Sequence, residues 1–293
     1  MGGAVLVTGA AKGIGRACAL RLDQAGFDVF AGVRKAVDGA DLRSEAAGIT
    51  PVLLDVTDAE SIDRALAEVQ AAAPGGLAGL VNNAGLAVAA PVEFLPSDEL
   101  RRQLEVNVIG QVAVTRVALP LLRRGGGRVV NMGSIAGRIA FPFMGPYAAS
   151  KFALRALTDA LRLELRPSGL AVVLIEPGTI ATPIWGTAVE AGDALTARLP
   201  AVAIDRYGGA IDAVRRRAAA NTTGGLPPEV VAEVVLTALT TARPKPRYLV
   251  GRDAKMASVL EHVPDRLRDR ILAGRIKRRD PGPATEPVVA PEP

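Results

Sequence analysis

Short apolar runs alternate with helix-length amphipathic stretches through the first half of the chain. Ala4–Thr8, Val29–Val33, Thr50–Asp55 and Leu77–Asn82 are brief and rich in Val and Leu, the composition of strands buried on both faces. Between them Gly13–Gly26, a short helical stretch after Val33, and Ser61–Ala73 repeat their apolar residues at helical spacing. This alternation predicts the α/β class, a parallel sheet wrapped by helices. Farther along, Ser97 is placed to cap a long helix reaching about Arg123, which Pro120 is expected to kink or shorten. Gly125-Gly-Gly127 turns into a strand, Arg128–Met132. The next helix carries Tyr147 to about Leu165, stops around Pro167-Ser-Gly169 and feeds the strand Leu170–Glu176. Right-handed crossovers make the whole a doubly wound sheet with helices on both faces.

The pattern weakens between Thr179 and Pro228, where Gly, Ala, Thr, Trp185 and an Arg215-Arg-Arg217 patch intervene. A segment of that kind outside the sheet is expected to serve as a lid over a binding site, at about 179–228. A helix over Pro228–Thr240 and a last strand over Pro246–Val250 follow. Met256, Val259, Leu260, Val263, Leu267, Ile271 and Leu272 then predict an amphipathic helix over about 256–279, interrupted by Pro264. Asp280–Pro293 holds five prolines and reads as a disordered tail from 281. One domain is expected over residues 1–280.

Composition narrows the function classes. With 293 residues, 49% of them hydrophobic, the chain can bury a large core. No run approaches the ~18 uninterrupted apolar residues of a membrane span, and the start lacks the basic flank of a signal peptide. Cys18 is the only cysteine, so the expectation is a reducing cytoplasm and no disulfide framework. The net charge of +5 is local: residues 243–280 hold twelve Lys/Arg against five Asp/Glu, and the rest holds 23 against 25. No zinc-ligand spacing or recognition-helix pattern accompanies it, so a solvated basic helix is favoured over a nucleic-acid site.

The chemistry lies in two places. Gly9-x3-Gly13-Ile14-Gly15 follows the first strand and opens a helix, a turn that lets the main chain approach a pyrophosphate and aims helix amides at it. Asp55, followed by Val56, stands at a strand end where it can accept from an adenine amino group, or alternatively cap the next helix. At the end of the second strand, where an acid would hold a ribose 2′-hydroxyl, Arg34 stands instead, and Lys12 lies within the glycine turn. Two cations there favour a 2′-phosphate, hence NADP(H) over NAD(H). Tyr147-Ala-Ala-Ser-Lys151 begins thirteen residues after Ser134 and sets a phenol and an ammonium on one helix face, one turn apart.

These motifs, in this order, resemble the short-chain dehydrogenase/reductase family in its classical form, over about residues 3–250. The match comprises Thr8-Gly9-x3-Gly13-x-Gly15, Asp55, Asn82-Asn83-Ala84-Gly85, Asn107, Ser134, Tyr147 and Lys151, with Pro177-Gly178-Thr179 and Thr182. The stretches Gly133–Arg138, Ala149–Leu154 and Pro246–Met256 look most like a branch that handles steroids, retinol and similar lipophilic substrates. The resemblance implies a Rossmann-type fold. It also implies that Asn83, Ala84 and Gly85 lie beside the adenosine half of the cofactor and that Pro177, Gly178, Thr179 and Thr182 close over the nicotinamide carboxamide. Tyr147 would act as general acid and base, Ser134 would hydrogen-bond the substrate oxygen, and Lys151, together with the positive nicotinamide of the oxidised cofactor, would lower the phenol's pKa while Lys151 also holds the nicotinamide ribose. Asn107 would anchor a water linked to Lys151.

Substrate walls are expected from Leu86-Ala-Val88, from Phe141, Phe143 and Met144, and from Ile184-Trp185. They hold no carboxylate clamp and suit a secondary alcohol or ketone on a hydrophobic skeleton. A 3-oxoacyl thioester is the competing substrate, and a catalytically silent cofactor sensor or scaffold the competing class. The resemblance further implies a homodimer or homotetramer built through the helices bearing Asn107 and Tyr147. The basic C-terminal helix is expected to pack on its own chain, with weak peripheral membrane contact as the other reading.

Overall fold

The computed structural model describes residues 2–273. Its elements in chain order are β1 (Gly2–Thr8), α1 (Gly13–Gln24), β2 (Phe27–Val33), α2 (Ala36–Glu45), β3 (Ile49–Leu53), α3 (Ala59–Ala72) and β4 (Leu77–Asn82). There follow α4 (Ser97–Leu104), α5 (Gly110–Gly125), β5 (Arg128–Met132), α6 (Gly145–Leu165) and β6 (Ala171–Pro177). The chain continues with α7 (Ile184–Thr196), α8 (Ala201–Gly224), α9 (Pro228–Thr240), β7 (Arg247–Val250), α10 (Arg252–Leu260) and α11 (Asp265–Ala273). Seven strands form one sheet in the order β3-β2-β1-β4-β5-β6-β7, every pair parallel. Strand order reverses between β1 and β4, and the crevice at the carboxyl ends of the strands on either side is where doubly wound sheets bind ligands.

Each face of the sheet has its own core. On one, Val5, Val7, Val130 and Ile175 pack against Cys18 and Leu22 of α1 and Val231 and Val235 of α9. On the other, Leu6, Leu80, Val129 and Val172 meet Ile62 and Leu66 of α3 and Val114, Ala118 and Leu122 of α5. The near-continuous Val and Leu runs of the strands follow from this two-sided burial.

Several elements depart from the sequence expectation. Ser97 is the first residue of α4, after Pro96, and makes no capping bond. A π-helical turn over Glu105–Ile109 divides the long helix, and α5 then runs through Pro120 to Gly125. Pro120 removes one backbone donor from a helix that the sheet already holds along its buried face. The lid region is regular, made of α7 and α8, and the amphipathic C-terminal segment is two helices parted at Pro264, the first beginning at Arg252. Residues 274–279 of that segment and the Pro-rich tail lie outside the described residues. Among the described residues, one helical run, Ser97–Gly125, is long and apolar enough to cross a membrane by length and composition, and here its buried side lies on the sheet.

Candidate active site

The loop after β1 is shaped for close approach. Gly9 and Gly13 adopt φ of 65° and 58°, a region that only glycine enters without strain. A Cβ on Gly15 would collide with the Gly9 carbonyl and the Asn83 amide. Lys12 precedes α1 without a side-chain cap, so the first amides of the helix face the groove unblocked. Asn83 braces the turn: its Nδ2 donates to the carbonyls of Thr8 (3.0 Å) and Gly9 (3.1 Å), while the amides of Asn83 and Ala84 donate to Thr8 Oγ1 (both 3.0 Å). A tight turn with free helix amides and no room for side chains fits a dinucleotide pyrophosphate.

Arg34, just past β2, is exposed, and Lys12 is exposed apart from a contact from Nζ to Thr187 Oγ1 (3.4 Å). Asp55 stands at the end of β3 and does not cap α3, because Asp58 does so by accepting the Glu60 amide (3.0 Å). Asp55 Oδ1 instead receives the amide and hydroxyl of Thr57 (2.9 and 2.7 Å), while Val56 is buried against Gly110. Thr182 is buried with its Cβ side against Gly13, which brings the base of the lid onto the glycine turn. Trp185 Nε1 donates to the Ile180 carbonyl (2.8 Å) and so fixes the start of α7.

Ser134, Tyr147 and Lys151 meet at the carboxyl ends of β5 and α6's first turns. Ser134 Oγ accepts the Ala136 amide (3.1 Å). Burial pushes the Tyr147 phenol above its usual value of 10.0, and a hydrogen bond with Ser134 draws it part of the way back. Lys151 does not touch the phenol oxygen. Its Nζ donates to the Met132 carbonyl (2.8 Å) and lies 5.7 Å from the centre of the tyrosine ring. Desolvation brings the ammonium down from 10.5 to about 8. In this structure the Lys151 ammonium is bonded to a backbone carbonyl, and the larger influence on Tyr147 is loss of water.

Asn107 sits in the π-helical turn, a distortion frequent at functional sites. Its Oδ1 accepts the Leu86 amide (2.9 Å), and its Nδ2 donates to the Leu86 carbonyl (3.0 Å) and Ser150 Oγ (3.1 Å). Ser150 in turn donates to the Tyr147 carbonyl (2.7 Å). Both amide hydrogens are used, and one lone pair of Oδ1 is left. Gln103 repeats the device, accepting the Val88 amide (2.7 Å) and donating to the Leu86 carbonyl (2.9 Å). The sequence reading missed Gln103 and Ser150, although Ser150 lies inside the Tyr-x-x-x-Lys motif.

An apolar cavity of about 60 Å³, partly open to solvent, lies under the lid, and none of Ser134, Tyr147 and Lys151 is among its lining residues. Phe143, Met144 and Trp185 line it together with Leu199, Ile211 and Val214 of the lid and Ala89–Pro91. Phe143 holds a φ of 66°, the one positive value outside glycine among the described residues, and its carbonyl accepts the Ala90 amide (2.8 Å). Phe141 does not reach the cavity; it packs with Ile139, Ala257 and Leu272 against the C-terminal helices. Leu86 and Val88 pack with Leu195 beneath the lid. Apart from Trp185, the cavity walls on α7 and α8 were illegible in sequence because their apolar residues are spread among Ala and Gly.

The sequence profile of the short chain dehydrogenase family matches residues 3–192, and the chain belongs to that family. It is 36% identical to an NADPH-dependent 3-dehydrocapnine reductase of Ornithobacterium rhinotracheale over 93% of this chain and 97% of the relative. It is 37% identical to retinol dehydrogenase 5 of Mus musculus over 94% and 89%. A short chain dehydrogenase of Burkholderia cenocepacia J2315 solved in complex with NADP superposes with a TM-score of 0.70 at 25% identity, over 92% of this chain and 96% of that one.

Proposed function

We propose that this chain is an NADP(H)-dependent oxidoreductase that interconverts a secondary alcohol and a ketone on a hydrophobic, steroid-, retinoid- or lipid-like substrate. The observation that carries the reading is the grouping of Ser134, Tyr147 and Lys151, in a chain that also holds a glycine cradle and an apolar cavity lined by Phe143 and Met144 just ahead of Tyr147. The cofactor, when bound, supplies or takes the hydride. Tyr147 gives its proton to the carbonyl oxygen, and Ser134 hydrogen-bonds that oxygen as negative charge grows on it. Lys151 replenishes the proton and holds the nicotinamide ribose, and the free lone pair of Asn107 Oδ1 retains a water on that route. Alcohol oxidation reverses each transfer.

Arg34 and Lys12 support the phosphorylated cofactor, as do the NADPH-dependent relative and the NADP-bound neighbour. Asp55, Val56, Asn83, Ala84 and Gly85 take the adenosine half, and Pro177, Gly178, Thr179 and Thr182 the carboxamide end. The domain spans residues 1–280, with its lid at about 179–228. Exposed Ile109, Val112, Phe152, Leu157 and Leu163 on the helices bearing Asn107 and Tyr147 support a homodimer or homotetramer through that face. The buried, unpaired Cys18 suits the cytoplasm.

The test is the absorbance of reduced nicotinamide with steroid, retinoid, aliphatic and 3-oxoacyl carbonyls, run with NADPH and separately with NADH. Turnover of lipophilic ketones with NADPH preferred is the expected result. Preference for NADH would make Arg34 and Lys12 plain surface charges, and turnover confined to 3-oxoacyl thioesters would displace the lipophilic substrate.

A further inference from the structure

α10 supplies no wall to the cavity and no residue to the glycine cradle, yet Asp253 in its first turn and Glu261 at its C-cap both bond to segments of the site. The β6–β7 ladder ends at Pro177 opposite Val250, so the amide of Thr179 has no sheet partner. Asp253, in the first turn of α10, accepts that amide at Oδ2 (2.5 Å). Its carboxylate also occupies the space where a Cβ on Gly178 would stand.

Glu261, at the other end of α10, takes one arginine on each oxygen: Arg138 Nη1 on Oε2 (2.7 Å) and Arg155 Nη1 on Oε1 (2.6 Å). Arg138 follows the Ser134–Gly137 turn and lays its second edge on Glu176 (2.9 and 2.6 Å), which is fully buried and immediately precedes Pro177. Arg155 lies one turn beyond Lys151 and also donates to the Gly137 carbonyl (3.2 Å). One carboxylate is thereby joined to the serine loop, the lysine helix and the strand end leading into Pro177-Gly178-Thr179. The four charges balance, and Arg138 is 9% and Glu176 0% exposed, so the forked pairing is directional and little screened.

We infer that α10 is a positioning element for the nicotinamide end of the site: Asp253 and Glu261 hold the Pro177–Thr179 bend and the Ser134–Gly137 turn in register with Lys151. This rests on the dinucleotide reading above. It assigns to the C-terminal segment a role in cofactor geometry, separate from any lid or membrane contact.

The experiment compares a whole dinucleotide with the same molecule lacking nicotinamide. Dissociation constants are measured by calorimetry for NADPH and 2′-phospho-ADP-ribose, and for NADH and ADP-ribose, on the full chain and on Asp253→Ala, Asp253→Asn, Gly178→Ala and Glu261→Gln. Asp253→Ala and Gly178→Ala are expected to weaken NADPH about tenfold, the scale of one charge-assisted hydrogen bond, and to leave 2′-phospho-ADP-ribose within about twofold. Asp253→Asn keeps an acceptor and should stay within about threefold of the parent on both, and Glu261→Gln should weaken NADPH alone by about threefold. Equal losses on both ligands would make α10 a general structural staple and overturn the inference, as would no loss on either. If Asp253→Ala does not fold, Gly178→Ala and Glu261→Gln carry the same comparison. A parent chain that binds neither reduced dinucleotide fails before any variant is compared, and that outcome removes the functional reading itself.

Discussion

The seam beneath the site and the lid above it are both joined by polar contacts, but of different kinds. In the seam, buried Asn82 donates to Thr115 Oγ1 (2.7 Å) and Asn131 Oδ1 (2.9 Å), and Asn131 donates to Thr158 Oγ1 (2.9 Å), linking β4 and β5 to α5 and α6. In the lid, Glu93 receives Arg206 (2.6 Å) and the Tyr207 hydroxyl (2.7 Å), and Asp193 receives Arg215 (2.8 Å). The Arg206–Glu93 partners are 55% and 44% exposed. An exposed pair contributes ~0–1 kcal/mol, whereas a buried group stripped of its partner costs ~1–3 kcal/mol. The framework under the candidate site is thus locked from within, while α7 and α8 are fastened by exposed pairs.

If the framework fixes the cofactor, Arg34→Asp should raise the KM for NADPH by about tenfold or more while changing that for NADH little, since it replaces a phosphate-binding fork with a like charge. Steady-state kinetics with both couples reads this directly, and equal effects would break the assignment. Asn131→Ala should cost ~1–3 kcal/mol in urea unfolding. Glu93→Gln should cost less than ~1 kcal/mol and act chiefly on the KM of a bulky substrate. A Glu93→Gln loss as large as that of Asn131→Ala would erase the distinction between seam and lid.

A pH dependence of stability is expected as well. Lys151 sits at about 8 against an ordinary 10.5, so between those values the unfolded chain binds more protons and this residue's contribution to stability rises with pH. The stability of Lys151→Met relative to the parent should be highest near pH 7 and fall between about pH 8 and 10.5. A difference that stays flat across that window would mean the ammonium is well solvated.

The strands were legible in sequence where both faces are buried: Leu77–Asn82 and Arg128–Met132 have the bounds read from their apolar runs. The helix over Pro228–Thr240 also matches, as its proline start and apolar stripe require. The lid was read only as a weak pattern because α8, 24 residues long, buries Ala203 alone, and a helix lying on the surface leaves no apolar stripe. Side-chain partners were harder still. Tyr147 and Lys151 share a helix face as the spacing demands, but spacing cannot say that a backbone carbonyl at Met132 takes the ammonium. Phe141 and Phe143 are two residues apart in a loop, and the turn between them sends one to the C-terminal helices and the other to the cavity.

The most direct test of the account is Tyr147→Phe, with whichever ketone the parent chain reduces. Single-turnover oxidation of bound NADPH should slow by about 10²–10⁴-fold, the scale of general acid catalysis, while NADPH affinity stays within a few-fold. A variant that keeps a substantial fraction of the parent rate would contradict the role of the phenol as proton donor and the mechanism built on it.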